Sequence, residues 1–348
     1  AHTHLDKTFA TLENNSGTLD EAIAVWRRVR EERHSDEITH AATKAIKLAI
    51  ANGVTAMRSH IDIGRTDQRT AVEVLLGLRE QFRNQIDLQF VALGTSSDEP
   101  ALLDGMKTAL AMGVDLVGGC PALRPDPQAE IDAVFALAAE TGKPIDLHID
   151  ETENPNMLTL DYLAEQTIAH GMQGQVTAGH CCSLAFADDE TARRIIDKVA
   201  AAQLNIVTLP SCNLVLMGRN MQPVPRGTTR VKQLLAAGVN VCAASDNVHD
   251  PFNPFGSYDL LQIANLNAHV AHMTGIAELQ ESRSMVTQRA AICMNLKNHG
   301  VGVGNIADLV VLNTCNYEDA ILAPPARLMT FKNGNLLVET TIQESWYI

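Results

Sequence analysis

The chain has 348 residues, of which 46% are hydrophobic and 20% are charged, a composition typical of globular proteins and not of disordered or fibrous ones. Its 27 Lys and Arg stand against 41 Asp and Glu, giving a net charge of -14 that argues against nucleic acid polymers and anionic membrane surfaces as partners. No stretch approaches the roughly 18 consecutive apolar residues of a membrane span, so we expect no membrane association.

Seven short segments rich in β-forming residues end in Gly, Pro or polar residues, and their starts lie 29 to 35 positions apart. These candidate strands are 54–63, 86–93, 115–123, 144–151, 175–181, 205–211 and 240–247. Segments with helical periodicity precede or separate them, and the first opens with the capping box Thr18-x-x-Glu21. The candidate helices are 18–31, 36–51, 70–82, 101–112, 128–141, 157–169, 188–203 and 229–237.

This alternation, with strands that are almost continuously apolar, predicts a parallel sheet covered by helices. Seven repeats favour a (β/α)8 barrel of the TIM type over residues 1–300, with the eighth strand at or before residue 1 and ending at His2 and His4. Most of that strand would then precede Ala1, so we expect an N-terminal part of the protein to be missing from this sequence. A doubly wound open sheet is the alternative, although no Gly-rich phosphate turn follows an early strand.

After residue 300 the pattern changes to three short strand-like segments, 307–312, 327–332 and 335–341, with Asn333-Gly334 as a hairpin turn. Residues 301–348 are therefore predicted to be the C-terminal part of a small β-sandwich domain. The seven cysteines are an odd number and form no C-x-x-C pair, which is typical of reduced thiols and indicates a cytoplasmic location.

In a barrel of this type the active site is built at the C-terminal ends of the strands. His2 and His4 share one face of their strand, which suits two ligands of one metal ion. With His148 and Asp246 they would form a site for one divalent ion, zinc or iron, with a position open for water. Several other polar residues fall on the same rim, namely His60, Asp62, Glu151, His180 and Asn247.

Glu151 lies three residues past His148 and is the candidate proton carrier, with a solvated carboxylate as the plainer interpretation. His180, at the end of VTAGH, is either catalytic or a buried structural histidine. His60 and Asp62 are either supporting residues of the site or structural ones.

Six motifs, in order, resemble the amidohydrolase superfamily, and specifically its bacterial cytosine deaminase branch, with N-isopropylammelide amidohydrolase as a neighbour. They are AHTHLDKTF, SHIDI, IDLHIDE, VTAGH, RGTTRVKQLLAAGVNVC and ASDNVHDPFNPFGSYDLLQ. The resemblance implies one divalent metal ion, zinc or iron, held by His2, His4, His148 and Asp246. It also implies that Glu151 is the proton shuttle, that His180 polarises or orients the attacking water, and that Asp246 takes the proton of that water.

The implied reaction is addition of hydroxide to an amino-bearing ring carbon, protonation of the neighbouring ring nitrogen by Glu151, and loss of ammonia. The strand DLVGGCPAL offers no lysine for a carboxylated bridge, which argues against the binuclear ring-amide hydrolases. Glu151 is present, whereas the isopropylammelide enzyme lacks this glutamate. The H-x-E and P-C-x-x-C motifs of the other zinc deaminase design are absent.

Three candidate substrate-binding residues depart from cytosine deaminase: Thr95 replaces a Gln, Asn247 a second Asp, and Phe252 a Trp. Such changes should alter ring recognition, because a site built to bond a polar ring edge rejects rings without the match. We therefore expect a small heterocyclic substrate, such as cytosine, 5-methylcytosine, isocytosine or an aminotriazine. The alternatives are a hydrolase of N-substituted triazines or ring amides on the same scaffold, and a binding protein without activity. A homo-oligomer is left open.

Overall fold

The structure is a computed structural model that describes residues 1–94, 97, 99–316 and 318–347. Within these residues, seven parallel strands form one sheet in which each strand pairs with the next along the chain. They are β1 (Ala56–Asp62), β2 (Asp87–Leu93), β3 (Leu116–Gly119), β4 (Ile145–Ile149), β5 (Val176–His180), β6 (Asn205–Thr208) and β7 (Asn240–Ala243). Strands β3 to β6 are buried at every residue, as expected for strands covered on both faces.

The first residues of the chain join the two edges of this sheet. Thr3 forms a parallel bridge with Ser59 of β1 on one side and with Asp246, just after β7, on the other. Its N–H donates to the carbonyl of Arg58 (3.1 Å), and its carbonyl accepts from the N–H of His60 (2.8 Å). The segment around Thr3 thus occupies the eighth strand position, which confirms the predicted α/β barrel of the TIM type.

Two helices precede β1, and the others lie between and after the strands. They are α1 (Leu19–Glu32), α2 (Ser35–Ala51), α3 (Thr70–Phe82), α4 (Pro100–Met112), α5 (Pro127–Thr141), α6 (Thr159–Ala169), α7 (Asp189–Ala201), α8 (Pro210–Leu216), α9 (Val231–Ala236), α10 (Leu260–Val270), α11 (Ile276–Met285), α12 (Gln288–Cys293) and α13 (Asp319–Leu322). The sequence assigned no element between 248 and 300, where α10 to α12 lie. Within the described residues, no helix has both the length and the apolar character needed to cross a bilayer.

Helix α5 shows how the local sequence sets these elements. The Asp126 side chain accepts the N–H groups of Gln128 and Ala129, and a proline occupies the first turn. Gly142 ends the helix with a φ of 67°, a left-handed conformation that glycine adopts without strain. Apolar residues at helical spacing on α5 are buried in the core between strands and helices: Ile131, Val134, Phe135 and Ala138.

Several predicted strands end earlier than expected, among them β7, which ends at Ala243 and not at 247, and in two of them a proline explains the end. Strand β3 ends at Gly119, where the sequence predicted a strand to 123, because Pro121 begins a short 3-10 turn over Pro121–Leu123. Strand β6 ends at Thr208 because Pro210 occupies the first turn of α8. A proline cannot donate to a sheet but fits the first turn of a helix.

The C-terminal residues form a separate antiparallel sheet of β8 (Leu309–Leu312), β9 (Arg327–Lys332) and β10 (Asn335–Glu339). Asn333 and Gly334 connect β9 to β10 with φ values of 51° and 77°, as the predicted hairpin turn requires. Lys332 is only 2% exposed and forms ion pairs with Asp87 (2.6 Å) and Asp308 (2.5 Å). It therefore ties the small sheet to the start of β2.

Candidate functional site

Four side chains that are distant in the sequence meet at the C-terminal ends of the barrel strands. Oδ1 of Asp246 lies 3.4 Å from Nε2 of His2 and 3.2 Å from Nε2 of His4. Nε2 of His148, on β4, lies 3.3 Å from Nε2 of His4. None of the four is more than 6% exposed. The structure thus brings together the four residues that the sequence predicts as metal ligands.

Several polar atoms of this cluster are buried without a hydrogen-bond partner among the described residues. They are both ring nitrogens of His2, Nδ1 of His148, Nε2 of His180 and both carboxylate oxygens of Asp246. Since buried polar atoms in proteins are nearly always satisfied, such a concentration indicates that a further group belongs here. Imidazole nitrogens together with a carboxylate are a donor set that suits zinc or iron. The residues present therefore fit one divalent metal ion.

The electrostatics of the cluster favour neutral imidazoles. Burial lowers the pKa of His2 to about 4 and that of His180 to about 3, and it holds the pKa of His148 well below its usual range. The neighbouring histidines lower these pKa values further. Neutral imidazole is the form that coordinates a metal ion, so the rings are already in the binding state near neutral pH.

Glu151 and His180 lie beside the four candidate ligands. Oε1 of Glu151, just past β4, is 3.3 Å from Nδ1 of His180 at the end of β5. Nδ2 of Asn213, on α8, lies 3.0 Å from the same ring nitrogen. Burial and the nearby charge of Asp246 raise the pKa of Glu151 well above its usual range, which favours a carboxyl able to donate a proton.

Backbone strain is concentrated around the same rim. Asp150, His180 and Asp246 have φ values of 51°, 67° and 60°, in the left-handed region that side-chain-bearing residues rarely adopt. Each such residue costs on the order of 1 kcal/mol or more, and residues of this kind cluster at functional sites. At two of the three positions the strained residue is itself a predicted catalytic residue.

His60 lies within the cluster but is not among the converging atoms of the predicted ligands. It is fully buried, its ring centroid is 4.1 Å from that of His2, and its Nε2 is 3.7 Å from Oδ1 of Asp146. Asp146 in turn pairs with Arg58 at 2.8 Å. Since His60 and Asp146 precede Asp62 and His148 by two positions on their strands, both point into the barrel interior.

Lys7, which the sequence analysis did not single out, borders the candidate ligands. Nζ of Lys7 lies 3.0 Å from Oδ1 of Asp62 and 3.3 Å from Nδ1 of His4. The indole N–H of Trp26 donates to the other oxygen of Asp62, and Asp6 accepts the N–H of Asp62. Asp62, whose role the sequence left undecided, therefore anchors a buried lysine at the edge of the site.

A cavity of about 500 Å³ opens above the cluster. Glu151, His180, Asn247 and Phe252 all line it. The Asn247 amide donates to Asp250 (2.6 Å). Thr95, the third predicted substrate-binding residue, lies outside the described residues, and its neighbour Gly94 lines the cavity.

A parallel barrel with a buried cluster of histidines and a carboxylate at its C-terminal rim defines the class of barrel hydrolases that use a metal ion. Residues 10–340 match the family model described as the amidohydrolase family, and the chain belongs to this family. Its members are generally metal-dependent, and the chain is a hydrolase of C–N bonds other than peptide bonds. The expected family membership is thereby confirmed.

The relatives include deaminases and isopropylammelide hydrolases. The chain is 33% identical over 344 residues to pterin deaminase of Rhizobium rhizogenes, covering 97% of this chain and 78% of that protein. It is 30% identical over 357 residues to N-isopropylammelide isopropyl amidohydrolase of Pseudomonas sp. strain ADP, covering 98% and 85%. The crystal structure of 5-methylcytosine deaminase from Klebsiella pneumoniae with 5-fluorocytosine has a TM-score of 0.95 at 30% identity, covering 99% and 86%.

Proposed function

We propose that this protein is a metal-dependent aminohydrolase that removes an exocyclic amino group from a small nitrogen heterocycle and releases ammonia. The observation that carries the proposal is the position of Glu151, 3.3 Å from His180 and on the wall of the cavity above the candidate ligands. A carboxyl group at this place can reach a ring nitrogen of a bound heterocycle and transfer a proton to it. Protonation of that nitrogen is what makes the neighbouring amino-bearing carbon electrophilic.

His2, His4, His148 and Asp246 would hold the divalent ion, zinc or iron. When bound, such an ion acts as a Lewis acid and lowers the pKa of water to about 7. Neither carboxylate oxygen of Asp246 has a hydrogen-bond partner among the described residues, although Oδ1 lies 3.2 Å from Nε2 of His4, so Asp246 can accept the proton of the attacking water. Nε2 of His180 is also buried without a partner there and can orient that water.

The residues that line the cavity favour an aminopyrimidine ring, either free or fused to a second ring, as the substrate. The amide nitrogen of Asn247 donates to Asp250, and its carbonyl oxygen accepts only a weak hydrogen bond from the Cys212 thiol (3.9 Å), so this oxygen keeps a lone pair that can accept an N–H of the substrate. Phe252 contributes an aromatic face on the same wall, and Thr95 would complete the set. The candidates are cytosine, 5-methylcytosine, isocytosine and, because the cavity is of a size that takes larger ligands, the isocytosine-like ring of a pterin.

A second candidate reaction is removal of an alkylamine from a substituted triazine. The cavity wall carries a group of apolar side chains that could receive an alkyl substituent: Leu19, Ile23, Leu102 and Leu123. The 30% identity to the isopropyl amidohydrolase supports the same reaction. The presence of Glu151 favours deamination over removal of an alkylamine, because an acid at this position can transfer a proton to a ring nitrogen.

The test is a product screen with zinc- and iron-loaded protein over cytosine, 5-methylcytosine, isocytosine, pterin and N-isopropylammelide. We expect ammonia from at least one aminopyrimidine, and loss of that activity in Glu151→Gln with the metal content unchanged. Isopropylamine from the triazine, without ammonia from any aminopyrimidine, would establish the second reaction instead.

A further inference from the structure

One face of α1 forms the roof of the cavity, and its chemistry changes along the helix. Leu19, Ile23 and Trp26, at spacings of four and three residues, present apolar surface to the cavity. Arg27 and Arg30 continue the same face in the last turns and line the same cavity. The roof is therefore apolar at one end and cationic at the other.

The other cations around the cavity have carboxylate partners. Lys7 pairs with Asp62 at 3.0 Å, and Arg124 pairs with Glu99 at 3.9 Å. The side chains of Arg27 and Arg30, by contrast, make no hydrogen bond and no ion pair of 4.0 Å or less within the described part of the chain. Arg27 is exposed, and Arg30 is near enough to Asp62 to help Lys7 lower the pKa of that carboxyl.

Glu31 is the remaining carboxylate near this outer end. It lines the cavity but is exposed at the solvent edge, and it forms no ion pair of 4.0 Å or less with a described residue. The cations Lys7, Arg27 and Arg30 thus stand against the carboxylates of Asp62 and Glu31, which leaves a local surplus of one positive charge in a chain whose net charge is -14. A guanidinium that lines a ligand cavity without a close ion-pair partner is suited to a ligand carboxylate or phosphate.

We propose that Arg27 and Arg30 select substrates whose heterocyclic ring carries a carboxylate on the side away from the reacting amino group. The inference rests on the proposed function, since it names the substrate class of the same site. The ring would lie below Ile23 and Trp26, with its amino group toward Glu151 and its carboxylate toward the two arginines. A single surplus positive charge matches the single charge of a carboxylate better than the two charges of a phosphate ester.

Matched substrate pairs test the inference on the metal-loaded protein. The pairs are isocytosine with isocytosine-5-carboxylate, pterin with pterin-6-carboxylate, and cytidine with cytidine 5′-monophosphate. In the wild type we expect kcat/KM to be higher for the carboxylated member by on the order of tenfold, mainly through KM, and the preference to shrink at high salt. In Arg27→Gln/Arg30→Gln the two members of each carboxylate pair should become nearly equal.

Arg28→Gln is the control variant, because Arg28 lies on the same helix but pairs with Glu13 at 2.6 Å on the exposed surface. It should keep the preference of the wild type. Equal kcat/KM values for both members in the wild type, an unchanged preference in the double variant, or a preference confined to the phosphate pair would overturn the inference.

The proposed function can fail separately from this inference. If no ring in the screen releases ammonia, the deaminase proposal fails, and calorimetric titration of the same pairs then decides the inference by binding alone. Tighter binding of pterin-6-carboxylate than of pterin, lost in the double variant and kept in Arg28→Gln, would support it. Equal dissociation constants would reject it.

Discussion

Nε2 of His4 and Nε2 of His148 lie 3.3 Å apart, although the two residues are 144 positions apart in the sequence. Asp246 approaches the same nitrogen of His4 to 3.2 Å. Nδ1 of His148 and both carboxylate oxygens of Asp246 are buried without a hydrogen-bond partner among the described residues, and the ends of the barrel strands hold these side chains together. A bound cation would turn this arrangement from a cost in desolvation into a source of stability.

The first prediction is that His148→Ala loses the metal ion. Elemental analysis of the wild type should give about one equivalent of zinc or iron per chain, and the variant a small fraction of that. Saturating metal at about 100 times its dissociation constant should stabilise the wild type by roughly 3 kcal/mol, measured as the chelator-sensitive part of unfolding. His269→Ala, an exposed histidine on α10, should behave as the wild type in both measurements. Equal metal content in both variants would refute the assignment.

The second prediction concerns Glu151. Glu151→Gln keeps the shape of the side chain but cannot donate a carboxyl proton, so kcat should fall by about 10²- to 10⁴-fold. Metal content should not change, because Glu151 is not one of the four candidate ligands. Glu140→Gln, at a surface ion pair with Lys107, provides the control and should leave kcat unaltered. A fall in kcat that simply tracks lost metal would mean that Glu151 holds the metal site and not the proton.

The third prediction is that Asn213 sets the tautomer of His180. An amide N–H donated to Nδ1 at 3.0 Å leaves the ring proton on Nε2, the nitrogen that faces the candidate ligands. Asn213→Ala should lower kcat by roughly tenfold to a hundredfold with little change in KM, since the neutral ring can then carry its proton on Nδ1, toward Glu151.

Nitrogen NMR of labelled histidine distinguishes this role from a merely structural one, because it reports the tautomer directly. Asn213→Ser, which retains a hydroxyl donor, should recover part of the activity. An unchanged tautomer in Asn213→Ala would show that the residue acts only by packing.

The positions of the rim residues could be predicted because parallel barrel strands end at one rim, so that a place at a strand end implies a place in space. His2, His148 and Asp246 were found in this way. Asn213 and Trp26 were not, because they lie on helices whose packing against the barrel depends on tertiary contacts that periodicity does not report. Lys7 did have a signal, since it follows the His-x-His motif by only three residues.

The fourth prediction is a pH dependence caused by Asp250. Burial raises the pKa of this carboxyl to about 6, whereas an unfolded Asp titrates near about 3.9. Between these values the folded protein holds a proton that the unfolded chain has released, so the free energy of unfolding falls as the pH rises.

Asp250→Asn removes this titration, so the stability of the wild type minus that of the variant should drop by at most roughly 3 kcal/mol between about pH 4 and pH 7. Urea unfolding of both proteins at several pH values, with the same metal loading, gives this difference. Parallel pH profiles would mean that Asp250 stays ionised throughout.

The last prediction concerns the ion pair beneath the candidate ligands. Nη1 of Arg58 on β1 lies 2.8 Å from Oδ2 of Asp146 on β4, and the two side chains are 4% and 0% exposed. Burial raises the pKa of Asp146 to about 7 although Arg58 lowers it, so in Arg58→Met this carboxyl can take up a proton near neutral pH. The loss of stability should therefore be at most the roughly 3 to 5 kcal/mol of a broken buried pair. Arg58→Met/Asp146→Asn should recover part of this loss, because no buried charge then remains.

The comparison is Lys107→Met at the exposed pair with Glu140, which should cost less than about 1 kcal/mol in urea unfolding. If Arg58→Met and Lys107→Met were equally stable, the buried pair would contribute no more than a surface pair. The stability of the polar barrel interior would then come from packing.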